Sequence, residues 1–451
     1  MAGLFKEENE NVYRKFIAQV RQAGFVRVVC VSREVDHFAA LFSLLTILEK
    51  ELIKHEVVWS AHSKGEERVF EVGIGEGCAI ENGVVIGAWA EKCPKGVMVM
   101  HEGSLAQTVF ALCKSLGHLT PDCLWSLCVS MYERTCREEE TGWDTLIRKD
   151  LEKGQAEEEE FGSSEERENV CPEMRAPQGL HRDLYAEVGR LERDDKEKMS
   201  VQIINSVYFP FSRWSTLYEA LINDFAIIEE LGLFFRRKHT KHCLLENAEY
   251  LLNQFLARLG MPVAAAQKAS LGSLVGPAQK IAQCSFNRRS VYFKNYQYNS
   301  GFSHIEAFYA ICHLIKKQAF TEAVFAFRNI KFVSAENGLR EYRRVVHDIK
   351  KCVERRKVLR VNGVGIVLIP KGVVSYGSDN EISLMKKVFV NVHMLCKARN
   401  PHKEIIMVAG VEEGRKCRVF YKEDGCVFWK DTEERLVNDC IRDLLEKLEN
   451  E

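Results

Sequence analysis

Hydrophobic positions change their period along this chain, and the changes divide it. Within residues 1–136, short apolar runs predict strands at Phe25–Ser32, Val57–His62, Arg68–Ile74, Val84–Ala90 and Gly96–His101. Apolar residues at helical spacing predict helices over His37–His55, Ser104–Leu116 and Pro121–Cys136. Val97 to Met100 is apolar at every position, the pattern of a strand buried on both faces. Strands alternating with helices predict a mostly parallel sheet covered by helices, an α/β domain.

The pattern fails between Arg137 and about Ser200. Four glutamates, Glu157 to Glu160, are followed by Glu165, Glu166 and Glu168. Like charges at that density repel and gain little by burial, so residues 137–200 read as an acidic, exposed linker, disordered in part. An acidic arm that binds a partner is the alternative. Residues 201–335 return to helical spacing, with helices predicted over Arg213–Leu231, His242–Leu259, Ser303–Gln318 and Thr321–Phe332. Gly260-Met261-Pro262 ends one helix and starts the next. Residues 336–451 read as a smaller α/β domain. A long basic helix spans Glu336–Arg360, and a strand Val361–Pro370. A helix over Glu381–Arg399 and strands Glu404–Gly410, Lys416–Tyr421 and Cys426–Lys430 follow. Asp431 is placed as the cap of a last helix, Thr432–Leu448.

The 451 residues exceed one simple core, and 46% apolar with 28% charged residues is an ordinary globular balance. A formal net charge of -1 excludes the molecule as a whole from acting as a basic partner for nucleic acid. Sixteen cysteines are scattered singly without a Cys-x-x-Cys, the usage of reduced, buried thiols. Met1–Asn11 is polar, unlike a signal peptide, and no apolar run approaches the ~18 residues of a membrane span. These features predict a cytosolic or nuclear protein with no membrane role and no cofactor.

Candidate chemistry gathers at the end of the first strand. Glu34 and Asp36 stand two apart, a spacing that in extended chain sends both side chains to one side. Ligands and metals collect at such strand ends in α/β sheets. Two-metal phosphodiester hydrolysis needs ions ~3.5–4 Å apart held by several carboxylates and histidines. Beyond Glu34 and Asp36, only His101 and Glu102 offer themselves, a thin set. The site reads as emptied of metal, with no catalytic residue. Gly73-Ile74-Gly75-Glu76-Gly77 lacks a phosphate-loop register, and Glu76 repels phosphate, so it reads as a turn. His239, His242 and Cys243 lack a second zinc pair.

Two basic patches are candidates for contact with single-stranded DNA or a protein partner. One holds Arg236, Arg237 and Lys238. The other holds Arg343, Arg344, Lys350, Lys351 and Arg355. A solvated helix face with some salt bridges is the commoner explanation of both. Trp214, Tyr218, Leu221 and Phe225 form an apolar stripe, core or interface.

Several segments resemble, in order, the cell division control protein forty-five family. Ser212-Arg213-Trp214-Ser215-Thr216-Leu217-Tyr218-Glu219 is similar to its Arg-His-Trp-Ser-Leu segment. Phe255 to Pro262 with Gln267, and Tyr298 to Ala307, resemble two of its helix starts and ends. Val31 to Ala40 is similar to its Asp-Val-Asp-Ala opening, and Leu124 to Val129 to its Leu-Trp helix. The resemblance runs from Tyr13 to about Leu448. It implies an inactive relative of the RecJ/DHH phosphoesterases, with a DHH-like sheet domain, a helical insertion and a DHHA1-like C-terminal domain. It also implies a nuclear replication factor that joins the MCM hexamer and the GINS complex in the CMG helicase. The chain departs from the pattern in four places, one of them a linker shorter than typical members carry. His101-Glu102-Gly103 stands near the Asp-His-His triad of active enzymes. No DHHA1 glycine signature surrounds Asn362-Gly363-Val364-Gly365, and Glu34 replaces the family's Asp. The alternative reading is an active manganese-dependent single-strand exonuclease or phosphodiesterase, which requires Glu34, Asp36, His101 and Glu102 to converge.

Overall fold

A computed structural model of the chain describes residues 16–30, 34–59, 70–74, 83–86, 98–100, 105–118, 120–134, 201–207, 215–223, 244–258, 260–269, 287–293, 302–328, 330–354, 358–361, 364–369, 385–386, 388–389, 392, 405–410, 416–423 and 426–449. The chain gathers into two compact units. One comprises Met1–Glu133, His181–Ile203 and Val291–Ala335; the other comprises Arg134–Leu180, Ile204–Ser290 and Glu336–Glu451. The fold class is mixed α/β, as the alternating pattern predicts.

The first unit is built on a parallel sheet of β1 (Phe25–Cys30), β2 (Lys54–Val58), β3 (Phe70–Ile74), β4 (Gly83–Ile86) and β5 (Met98–Met100). The strands lie in the order β2-β1-β3-β4-β5. Val26, Val28, Val29 and Cys30 are all buried, because β1 is covered on both faces. Helix α1 (Val35–Lys50) carries the chain from β1 to β2, and β3 then pairs on the other side of β1. The strand order therefore reverses at β1, the place where open α/β sheets keep their ligand crevice.

Helix α1 is buried around nearly its whole circumference, from Val35 to Leu48. Such a helix needs partners on more than one side. Helices α2 (Leu105–Ser115), α3 (Pro121–Arg134), α7 (His304–Lys316) and α8 (Phe320–Phe325) supply them. Phe42 stacks on Phe327 at 5.2 Å between centroids, and Phe38 packs with Trp59 and Phe320 at 5.5 and 6.0 Å. Arg328 lies over the Phe42 ring and donates to Asp122 of α3 at 3.2 Å and to Thr46 and Glu49 of α1 at 3.4 Å. One guanidinium thus fastens two helices with its planar fork. Helix α7 begins with a capping box. The Ser303 hydroxyl accepts from the Glu306 backbone at 3.2 Å, and the Glu306 carboxylate accepts from the Ser303 backbone at 2.8 Å.

In the second unit, helices α4 (Leu217–Asn223), α5 (Leu244–Arg258) and α6 (Val263–Ala266) pack together, burying Leu217, Leu221, Leu252, Leu256 and Ala266. The unit also carries a mixed sheet of β9 (Val358–Val361), β10 (Val364–Ile369), β11 (Ile405–Gly410), β12 (Lys416–Glu423) and β13 (Cys426–Glu433). Its order is β13-β12-β11-β10-β9, with only β10 and β11 parallel. One face buries Val364, Ile366, Ile406, Val408 and Val419 against Cys440, Ile441, Leu444 and Leu445 of α10 (Val437–Glu449). The other buries Val367, Met407 and Phe420, with Phe389 stacked on Phe420.

Four expectations are corrected. Helix α1 starts at Val35, before the predicted His37, because its first backbone amides already bond to Glu34 O. The stretch 201–335, read as wholly helical, includes strands β6 (Val201–Val207), β7 (Asn287–Phe293) and β8 (Phe302–Ser303). The basic helix, α9, runs Phe332–Glu354, and Val358–Val361 beyond it pairs with β10. Asp431 caps no helix: β13 runs on through it, opposite Arg418, while Glu433 faces Lys416.

Glu51, at the C-terminus of α1, joins three segments of the first unit. It accepts from Arg21 at 2.7 Å and hydrogen-bonds to His118 Nε2. The Arg21 hydrogen bond holds the Glu51 carboxyl below its ordinary 4.5, against burial, and His118 adds to the effect. A depressed carboxylate stabilises the folded state fully above its unfolded value, and that contribution fades as pH falls through the lower folded value. Glu51→Gln is therefore expected to flatten the stability profile below about 4.5, read by urea unfolding across an acid pH series.

Candidate functional site

The reversal point lies at the carboxyl end of β1, beside the first turn of α1. Glu34 is the extended residue before the helix, with ψ 146°, and makes no side-chain cap. Asp36 lies inside the first helical turn. The two carboxylates therefore do not follow the two-residue alternation of a strand.

Asp36 is fully buried, and both its oxygens accept hydrogen bonds from the protein. Oδ2 accepts from the backbone N–H of Leu105 at 2.9 Å. Oδ1 accepts from the N–H of Ala106 at 3.4 Å and from the Ser130 hydroxyl at 2.5 Å. Leu105 and Ala106 open α2, where helical N–H groups lack intrahelical partners and the dipole is positive. Asp36 thus caps α2 from a distance of 69 residues in sequence, and Ser130 ties the same carboxylate to α3. Two turns further along α1, Ser43 meets Ser126 at 2.8 Å. Ser126 also donates to Cys123 O at 2.9 Å.

Chemically this is a buried anion that accepts from the Leu105 and Ala106 amides and the Ser130 hydroxyl, charge-assisted bonds that tie it to α2 and α3. Glu34 is buried, at 8% exposure. His101 and Glu102 lie outside the described residues, as do the turn around Glu76 and the segment His239 to Cys243. Among the described residues, no three His, Cys, Asp or Glu side chains come together as a metal site.

Of the basic candidates, Arg236, Arg237, Lys238 and Arg355 also lie outside the described residues. Arg343, on α9, forms an ion pair with Glu219 at 3.6 Å, and Arg344 beside it is exposed. Lys350 and Lys351 fall on the same helix. Arg340 pairs one turn back with Glu336 at 2.6 Å. Trp214 and Phe225 are outside the described residues. Tyr218 and Leu221 sit on α4, where Leu221 is buried and burial raises the Tyr218 hydroxyl above its ordinary value.

Sequence reasoning missed Ser43, Ser126 and Ser130. The available signal was their spacing. Asp36 and Ser43 are seven apart, Ser126 and Ser130 four apart, so each pair shares a face of an otherwise apolar helix.

The chain matches a crystal structure of CDC45 from Entamoeba histolytica at TM-score 0.59 and 12% identity, over 98% of this chain and 92% of that one. It has the CDC45 fold. Two structures of RecJ with manganese, one of them from Thermus thermophilus, align at TM-scores of 0.39 and 0.33 and 11% identity, each over 92% of this chain. These alignments cover 47% and 82% of the RecJ chains. No family model and no curated protein matches the sequence. No helix among the described residues is long and apolar enough to cross a membrane.

Replacing Asp36 strands buried donors, at about 1–3 kcal/mol for each one left unsatisfied. Asp36→Ala is expected to lower unfolding free energy by about 2–4 kcal/mol in urea titration, and Asp36→Asn by less, since its carbonyl still accepts.

Proposed function

We propose that this protein is a non-enzymatic DNA replication factor. It acts in the nucleus as a scaffold that bridges the MCM hexamer and the GINS complex and holds the replicative helicase closed. The observation that carries the reading is the CDC45 fold over 98% of the chain. The engagement of Asp36 supports it. A carboxylate committed to the N-terminus of α2 and to Ser130 serves the frame rather than a cation.

On this reading the chain comprises a DHH-like domain, an acidic linker, a helical region and a DHHA1-like domain, at residues 1–136, 137–200, 201–335 and 336–451. Glu34, Asp36, His101 and Glu102 are remnants of an ancestral metal site. Single-stranded DNA is a further partner, contacted through exposed cations such as Arg344. Stable contact with two protein partners asks for about 1,200–2,000 Å² of buried surface at each, which a chain of this size can supply.

Purified chain mixed with MCM and GINS subunits is expected to co-elute with both on gel filtration; failure to form any complex at replication-permissive salt removes the reading. Manganese titration by calorimetry is expected to give no binding heat, and a 5′-labelled single strand is expected to stay intact. Manganese binding with cleavage would establish the exonuclease alternative instead. DNA contact is expected to weaken steeply between low and physiological salt, as phosphate-directed binding does.

A further inference from the structure

At the far end of α2 from Asp36, two thiols face each other. Cys113 lies in the last turn of α2, and Cys123 is the third residue of α3. The α2 helix closes on Gly117, at φ +69°, with His118 N–H bonded to Cys113 O at 2.9 Å. That left-handed stop is natural for glycine and folds the chain back at once. It brings Cys113 Sγ to 3.8 Å from Cys123 Sγ, where the Cys113 thiol donates to the Cys123 sulfur.

Thr120 completes the arrangement. Its hydroxyl oxygen accepts the Cys123 N–H at 3.2 Å and its proton points to Cys123 Sγ at 3.1 Å. The Thr120 backbone also bonds the sulfur, which makes a reciprocal cap with sulfur in the place of a carboxylate. Cys123 Sγ therefore receives hydrogen bonds from Cys113, Thr120 and Ser43 inside the positive first turn of α3, which favours the thiolate. The Cys113 and Thr120 bonds draw it down to about 7 although burial opposes them. Cys113, the donor, is held well above 9.0. Cys128, further along α3, has only burial acting strongly and is also pushed up.

We propose that Cys123 and Cys113 form a peroxide-responsive modification site, with Cys123 the attacking sulfur and Cys113 the resolving one. The Cys123 thiolate attacks one oxygen of hydrogen peroxide. The O–O bond breaks, the departing hydroxide takes up a proton and leaves as water, and Cys123 becomes a sulfenic acid. The Cys113 sulfur then attacks Cys123 Sγ and gives up its proton. The S–O bond breaks, and a second water leaves. Two thiols and one peroxide become one disulfide and two waters, with two electrons passing from sulfur to oxygen. A cellular dithiol reverses the step by exchange. Both sulfurs are fully buried, so the oxidant is a small one admitted by local opening of the α2–α3 turn.

The test uses the full chain, treated with stoichiometric hydrogen peroxide, quenched with N-ethylmaleimide in denaturant and mapped by mass spectrometry. The expected result is the loss of two titratable thiols, a cross-linked peptide pair containing Cys113 and Cys123, and recovery with dithiothreitol. Cys113→Ser is expected to leave a dimedone-reactive sulfenic acid at Cys123, whereas Cys123→Ser leaves Cys113 unmodified at the same dose. Both sulfurs of the wild-type chain remaining alkylated as single thiols, or Cys128 reacting ahead of Cys123, overturns the proposal. The wild-type map decides even where a serine variant fails to fold.

Discussion

A single buried carboxylate sets the geometry of the first unit. Asp36 sits where α1 leaves the sheet, and its oxygens receive the opening N–H groups of α2 and a hydroxyl of α3. An uncompensated charge at zero exposure would be untenable, so the three elements must meet there or not at all. The remaining contacts act within that frame. Ser43 with Ser126 fixes the register of α1 on α3, and Arg328 fastens the opposite end of α1 to Asp122. Glu51 joins the end of the same helix to Arg21 and His118. Apolar burial supplies most of the stability, but it is indifferent to direction. The polar ties decide which way each helix points.

The α/β frame was legible because burial leaves a periodic trace. Val26 to Cys30 and Val364 to Ile369 are strands on composition alone, and Leu124 to Tyr132 could only be a helix. What escaped was set by partners distant in sequence. Lys430 to Glu433 reads as a capped helix start until Lys416 and Arg418 stand opposite it. Asn287–Phe293 shows no strong alternation, and only pairing of Tyr292 with Ser303 reveals it. The β9–β10 hairpin did leave a local mark, an Asn362-Gly363 pair between its strands, outweighed by the run of basic residues before it.

Of the candidate site, Glu34 and Asp36 are placed, while His101 and Glu102 lie outside the described residues. Acidic residues after a first strand draw attention to the carboxyl end of β1, and Asp36 lies there in the first turn of α1. The two-residue spacing misled because α1 begins one residue earlier than Asp36, which converts alternation into helical rotation. No local motif announces that a carboxylate will cap a helix 69 residues away. The Thr120–Cys123 pair, by contrast, has capping spacing, hidden only because sulfur is seldom read as a capping group.

The first unit is discontinuous in sequence, and that bears on how the chain is made. Phe38 and Phe42 find Phe320 and Phe327 only after most of the polypeptide has left the ribosome. Until then Phe38 has Trp59 beside it but the Phe320 and Phe327 contacts are missing, and apolar surface left open in this way favours association. Closing so distant a contact costs loop entropy and slows folding. Removing Val291–Ala335 would uncover Phe38 and Phe42 and take away the Arg328 tie between α1 and α3.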